Sequence, residues 1–123
     1  MPALRTLVTA VAQSAGLDTR LSIELGAVRL GPDIETIAYR VAQEALTNVV
    51  KHADARTVAV DLRLDAERLR LTVADDGCGV GDVQAGGHGI VGMRERAALA
   101  SGKVEITQAS AGGTRVTLEL PLG

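Results

Sequence analysis

The sequence predicts an α+β two-layer sandwich, with about three helices on one face of a mostly antiparallel mixed sheet. Three observations carry this. Val58, Val60, Leu62 and Leu64 share one face of a run, and Leu69, Leu71 and Val73 share one face of the next. Only Asp65-Ala66-Glu67 separates the two runs, which predicts an antiparallel hairpin. Elsewhere, three stretches repeat apolar residues every three or four positions, the period of a helix. One face of the sheet is apolar, so the helices must cover it. The 123 residues make one domain, residues 1–123, with room for a sizeable core.

Residues 3–15 form the first helix, on Leu4, Leu7, Val8, Val11 and Ala12, and Gly16 stops it. Leu21, Ile23 and Leu25 alternate with Ser22 and Glu24 as a short strand. Gly31-Pro32-Asp33 turns the chain, with Asp33 as N-cap of a long helix over residues 34–53. The hairpin follows. Residues 75–89 hold six glycines and read as a loop. Residues 90–101 are the third helix, with Gly102 as its stop. Val104 and Ile106 begin a strand, and Ala111-Gly112-Gly113 turns it into the last, on Thr114, Val116, Leu118 and Leu120. No internal repeat, linker or second domain is evident.

Composition excludes several functions. Hydrophobic residues are 46% of the chain and aromatics 1%, Tyr39 alone, so the core is Val, Leu, Ile and Ala. A net charge of −2 with mixed signs leaves no electrostatic footprint for nucleic acid, and base stacking lacks its aromatics. Cys78 is the single cysteine, which excludes an internal disulfide and fits a reducing compartment. Cys78, His52 and His88 lack the pair spacing of a zinc site. No apolar run is long enough to span a membrane, and no signal peptide is visible.

The long helix carries the first chemical signal. Ile34, Ile37, Val41, Glu44, Asn48 and His52 lie along one side, apolar in the first half and polar in the second. Buried polar groups need partners, so the second half either faces a polar cavity or emerges into solvent. In the cavity reading, Glu44 and Asn48 offer oxygens suited to Mg²⁺, and Lys51 and His52 suit an anion. Asp75-Asp76-Gly77-Cys78-Gly79 ends a strand in a glycine loop. It is either a turn rich in Asp and Gly or the floor of a pocket that accepts an amino group. Gly87-His88-Gly89-Ile90-Val91-Gly92 matches GxGxxG, but no strand or βαβ unit surrounds it, so the dinucleotide reading is rejected. Glycines at a helix start leave N–H groups and a positive dipole end for an anion, or else form a plain connector. Arg94 and Arg96 are a salt-bridged solvated face or a phosphate or partner contact. Thr114 places a hydroxyl in a pocket or in a hairpin. A P-loop is absent.

In order and spacing these stretches resemble the ATP-binding catalytic domain of bacterial sensor histidine kinases, in the branch with nitrate/nitrite and DesK-type sensors. Gln43 to Ala53 resembles the N box of that branch, Asp75 to Gly79 its first glycine box, Gly87 to Arg96 its second, and Gly113-Thr114 the late Gly-Thr of the superfamily. The resemblance covers nearly the whole chain. It implies a Bergerat-type fold with ATP and Mg²⁺ as ligands. Asn48 would hold the metal, with Glu44 beside the γ-phosphate as a polarising or base-like group. Lys51 and His52 would lie near the phosphates. Asp75 would bind the adenine amine, helped by Thr114 through a water, with Gly77 and Gly79 flanking the base. Gly87 and Gly89 would hinge a lid, and Met93 would close the adenine side.

The resemblance also implies a phosphoacceptor histidine on a separate dimerisation domain, since neither His52 nor His88 fits that role. A response regulator would follow, in a cytoplasmic, homodimeric parent with or without a membrane anchor. The chain alone would be monomeric, bind ATP and autophosphorylate little. The Phe-bearing box of many such kinases is missing, as the chain has no Phe. Rival readings are a serine kinase of the anti-sigma-factor type on the same fold, and an interaction module without nucleotide.

Overall fold

The computed structural model describes residues 2–26, 29–53, 55–77, 88–108 and 112–122, with the side chains of 52, 53 and 88–90 outside that description. Helix α1 (Pro2–Ala15) leads into strand β1 (Asp18–Glu24), then helix α2 (Pro32–Asn48), which widens into a π-helical turn at Val49–Ala53. Strands β2 (Thr57–Asp65) and β3 (Arg68–Asp75) form the expected hairpin. Helix α3 (His88–Ala98), β4 (Lys103–Gln108) and β5 (Thr114–Pro121) complete the chain. The sheet order is β1-β2-β3-β5-β4.

β2–β3, β3–β5 and β4–β5 pair antiparallel, as expected, while β1 pairs with β2 in parallel. A parallel neighbour cannot be reached by a tight hairpin and needs a crossover; α2 is that crossover. The strand also begins at Asp18 rather than Leu21 and stops before Leu25.

Strand alternation builds the core in rows. Leu21, Val60, Val73, Val116 and Ile106 are neighbours across the five strands, and Ile23, Leu62, Leu71, Leu118 and Val104 form the next row. Onto these pack Ile37, Val41, Ala45 and Leu46 of α2, Met93 and Ala97 of α3, and Leu4 and Val8 of α1. Each fully buried Leu or Val contributes about 1.5–3 kcal/mol relative to exposure, so no aromatic is needed. The opposite sheet face is polar, with exposed or half-exposed ion pairs such as Arg63–Asp61 at 2.6 Å and Arg70–Glu119 at 3.3 Å. Such pairs add little stability.

The helix ends differ partly from expectation. Asp33 does not cap α2. Gly31 is the N-cap, without a side-chain bond, and Pro32 begins the helix. Pro needs no N–H partner there, and Asp33 and Glu35 face the positive dipole end from the first turn. Gly16, at φ +67, ends α1 and donates to Ala12 O at 3.1 Å.

α3 begins at His88, two residues before the expected start, so Gly89 lies inside its first turn. It ends at Ala98 rather than Ser101. Gly102 N donates to Ala97 O at 2.8 Å and Ser101 N to Ala98 O at 3.1 Å, a Schellman closure with Ser101 at φ +59. A β-carbon at Gly102 would collide with the Leu120 side chain and the Glu119 carbonyl, so that position must stay glycine. Ser101 carries the left-handed strain instead. Ser101→Gly is expected to stabilise the domain by about 0.5–1 kcal/mol, read as a Tm rise of a few degrees in a thermal melt.

Candidate functional site

The inner, helix-facing face of the sheet changes character in its last row. On β3, Leu69, Leu71 and Val73 are buried, and the next residue on that side is Asp75. On β5, Leu120, Leu118 and Val116 are buried, and the last residue on that side is Thr114. Asp75 is 6% exposed and Thr114 2%; among the described residues they are the buried polar side chains. Two apolar columns therefore end in a carboxylate and a hydroxyl along the edge formed by the strand ends of interior β3 and β5.

The two groups are joined. Asp75 Oδ1 accepts from Gly77 N at 2.7 Å and from Thr114 N at 3.4 Å. Thr114 Oγ1 is buried without a partner among the described residues. A buried hydroxyl left unmatched costs about 1–3 kcal/mol, so it marks a place where a water or ligand atom belongs. Gly113 makes the contact possible. A β-carbon there would overlap the Asp75 carbonyl and lie 2.6 Å from Asp75 Oδ1. Only a residue without a side chain lets β5 start so close to the end of β3.

α2 delivers its polar end to the same edge. The chain leaves Asn48 through the π-turn and enters β2 at Thr57, and Val58 stands opposite Asp75. Glu44 and Asn48 are half-buried, while Ala45, Leu46 and Val49 beside them are buried. Glu44 and Asn48 thus lie at a boundary, neither in the core nor in free solvent. Lys51 is exposed on the π-turn. That turn holds more residues than an α-turn, and such bulges are frequent at functional sites; it moves Lys51 off the line drawn by α-helical spacing.

α3 closes the third side. It packs on α2, β4 and β5, and its C-terminal closure lies against Leu120 and Glu119, the far end of β5. Its N-terminus is therefore directed back toward the Asp75–Thr114 edge. Met93 is fully buried in the core between these elements. Gly77 is half-buried beside Asp75. His52 and Gly89 sit on the π-turn and in the first turn of α3. Gly79 and Gly87 lie outside the described residues, as does Cys78.

Asp76 was not among the expected site residues. Its Oδ1 accepts from Arg56 N at 2.8 Å and Thr57 N at 3.0 Å. These N–H donors, Thr57 first and Arg56 next, hold its carboxyl below the usual carboxylate range. The tie is complete above about pH 3.9, the ordinary Asp value, and is lost as pH falls through the lower folded-state value. The sequence signal was available: period-two alternation turns Asp76 away from Asp75.

The arrangement thus joins a buried carboxylate to a buried hydroxyl that has no partner among the described residues, with half-buried Glu44 and Asn48 on the helix that packs against the same sheet. Residues 33–123 match the model of the histidine kinase-, DNA gyrase B- and HSP90-like ATPases. The chain belongs to this ATPase family. It is 36% identical to the sensor histidine kinase YxjM of Bacillus subtilis, over 99% of this chain and 30% of that protein. It is 38% identical to the oxygen sensor histidine kinase NreB of Staphylococcus carnosus, over 98% of this chain and 35% of that protein. The chain therefore spans about a third of the length of these curated relatives.

Among solved structures, the histidine kinase domain of the Erythrobacter litoralis EL346 blue-light activated histidine kinase superposes with a TM-score of 0.74 at 25% identity. That match covers 97% of this chain and 59% of the other. The ATP binding domain of PrrB from Mycobacterium tuberculosis superposes at 0.73 and 20% identity, over 99% and 93%, a likeness of fold. The expected α+β sandwich is the family's fold. No described helix is long and apolar enough to cross a membrane.

Proposed function

We propose that this chain is the catalytic domain of a sensor histidine kinase, binding Mg-ATP and offering its γ-phosphate to a histidine on a separate dimerisation domain. The observation that carries the reading is the buried Asp75–Thr114 pair, whose hydroxyl has no partner among the described residues, at the ends of two interior strands packed beneath α2. A carboxylate accepts from an exocyclic amine and not from a carbonyl, which suits adenine. The orphan Thr114 Oγ1 suits a water or ring nitrogen of the same base. Gly77 leaves the base room to lie against the backbone.

The donor set fits a magnesium–phosphate ligand. Asn48 and Glu44 provide side-chain oxygens one helical turn apart on α2. That matches Mg²⁺, which takes one or two protein ligands and completes its shell with phosphates and water. The ion, when bound, would neutralise charge on the transferring phosphoryl group. Glu44 would stand beside the γ-phosphate as a polarising or base-like group, Lys51 and His52 of the π-turn would lie near the phosphates, and the start of α3 would supply N–H groups to them. Met93, buried on α3, backs the base side. Such catalysis is mainly positioning and charge neutralisation.

In the full protein the partners are a phosphoacceptor domain on the same homodimer and a downstream response regulator, and the domain works in the cytoplasm. Asn48→Ala is expected to remove the gain in ATP affinity that Mg²⁺ confers, with metal-free ATP binding changed less than about twofold. Titration calorimetry with Mg²⁺ and with chelator measures both. Equal Mg²⁺ gain in the variant overturns the metal role.

A further inference from the structure

Asp75 and Asp76 are adjacent yet tie down different parts of the molecule. Asp75 Oδ1 holds Gly77 and Thr114, on the wall assigned to the base. Asp76 Oδ1 holds Arg56 and Thr57, at 2.8 and 3.0 Å. Those two residues stand three and four positions past the π-turn that ends the helix of Glu44 and Asn48, where the chain enters β2. The registered ladder between β2 and β3 stops at Val58–Asp75. Beyond it the Asp76 carboxylate replaces a main-chain acceptor and takes two N–H groups at once. Arg56 O in turn accepts from Asp18 N at 3.0 Å, so β1 braces the same segment.

We propose that Asp76 is a positioning residue that sets the spacing between the phosphate wall on α2 and the base wall on β3. Ala45, Leu46 and Val49 seat α2 on the sheet, but the chain then leaves through a π-turn and not along the α-helical line. The Asp76 tie fixes where that exit path joins β2, because it holds Arg56 and Thr57 to the residue following Asp75. A nucleotide that touches both walls feels this spacing; one held mainly by the base wall does not. The inference rests on the nucleotide reading above.

The test compares ATP with Mg²⁺ and ATP with chelator, by calorimetry, on the unmodified chain, Asp76→Ala and Asp76→Asn. Asp76→Ala is expected to lower Mg-ATP affinity about tenfold or more while metal-free ATP stays within about twofold. Asp76→Asn keeps an acceptor oxygen and is expected to recover most of the loss. Amide exchange at Arg56 and Thr57 should quicken in the alanine variant and much less in the asparagine variant. Should Asp76→Ala not fold, Asp76→Glu keeps the charge but displaces the acceptor by one methylene, and the same loss of Mg²⁺ gain is expected. An unchanged Mg²⁺ gain, or parallel losses with and without metal, overturns the inference. Failure of the unmodified chain to bind ATP overturns the nucleotide reading itself, a separate outcome.

Discussion

Asp75→Ala is expected to lower ATP affinity about 100-fold or more, the largest functional loss from any single change in this chain. A hydrogen bond to a charged group contributes about 1.5–3 kcal/mol, and each 1.4 kcal/mol is tenfold in affinity. The substitution removes the acceptor for the base amine. It also orphans the buried Thr114 N–H and loosens Gly77. Asp75→Asn separates these effects. An amide oxygen can still serve the two N–H groups, so the fold should survive, while the amide NH₂ turns a donor toward the base. The ratio of ATP to GTP affinity should then fall, because a 6-oxo purine presents an acceptor where adenine presents a donor. Competitive binding of both nucleotides to the two variants measures this. An Asp75→Asn protein with the original affinity and the original ratio would remove Asp75 from the base site.

Gly113→Ala should be the most disruptive change to stability for its size. Its backbone φ is not in the left-handed region, so conformational strain is not the cause. The added methyl would overlap the Asp75 carbonyl, which is main chain within the sheet and cannot rotate away. Overpacking typically costs 1–3 kcal/mol and sometimes more. A loss of about 3 kcal/mol, or roughly 10 °C in Tm, is expected, with ATP binding lost as Asp75 shifts. Gly112→Ala next door is the control for turn effects, since a β-carbon there meets nothing within 4 Å, although its φ of +95 adds strain. Thermal melts of the two variants separate a clash from a turn penalty. A Gly113→Ala protein as stable as its parent would refute the close approach.

Much of this architecture could be read from residue order. Alternation assigned the strands, and the same alternation, extended by two residues, put Asp75 and Thr114 on the inner face. The helical stripe placed Glu44 and Asn48 together because they fall before the π-turn. What escaped depends on contacts between distant segments. β1's parallel partner is set by the path of α2, and no property of Leu21 or Ile23 names Val60 or Leu62 as neighbour. The glycine at 113 looks like an ordinary turn residue until β3 is laid beside it. Asp33 resembles an N-cap by type, but Pro32 starts the helix two residues earlier than expected and leaves Gly31 in the cap position. Asp76 looked like half of a repeated acid, and its partners at 56 and 57 emerge only when β2 and β3 are paired.

β1 lies at the sheet edge and, among the described strands, pairs with β2 alone. As a nascent chain emerges from a ribosome, at about 5–20 residues per second, β1 appears some seconds before β2 and waits with bare main-chain groups. Its outward residues Asp18, Arg20, Ser22 and Glu24 are charged or polar and exposed. Charge on an edge strand discourages pairing with a stranger, so these side chains guard the unfinished protein as well as the finished one.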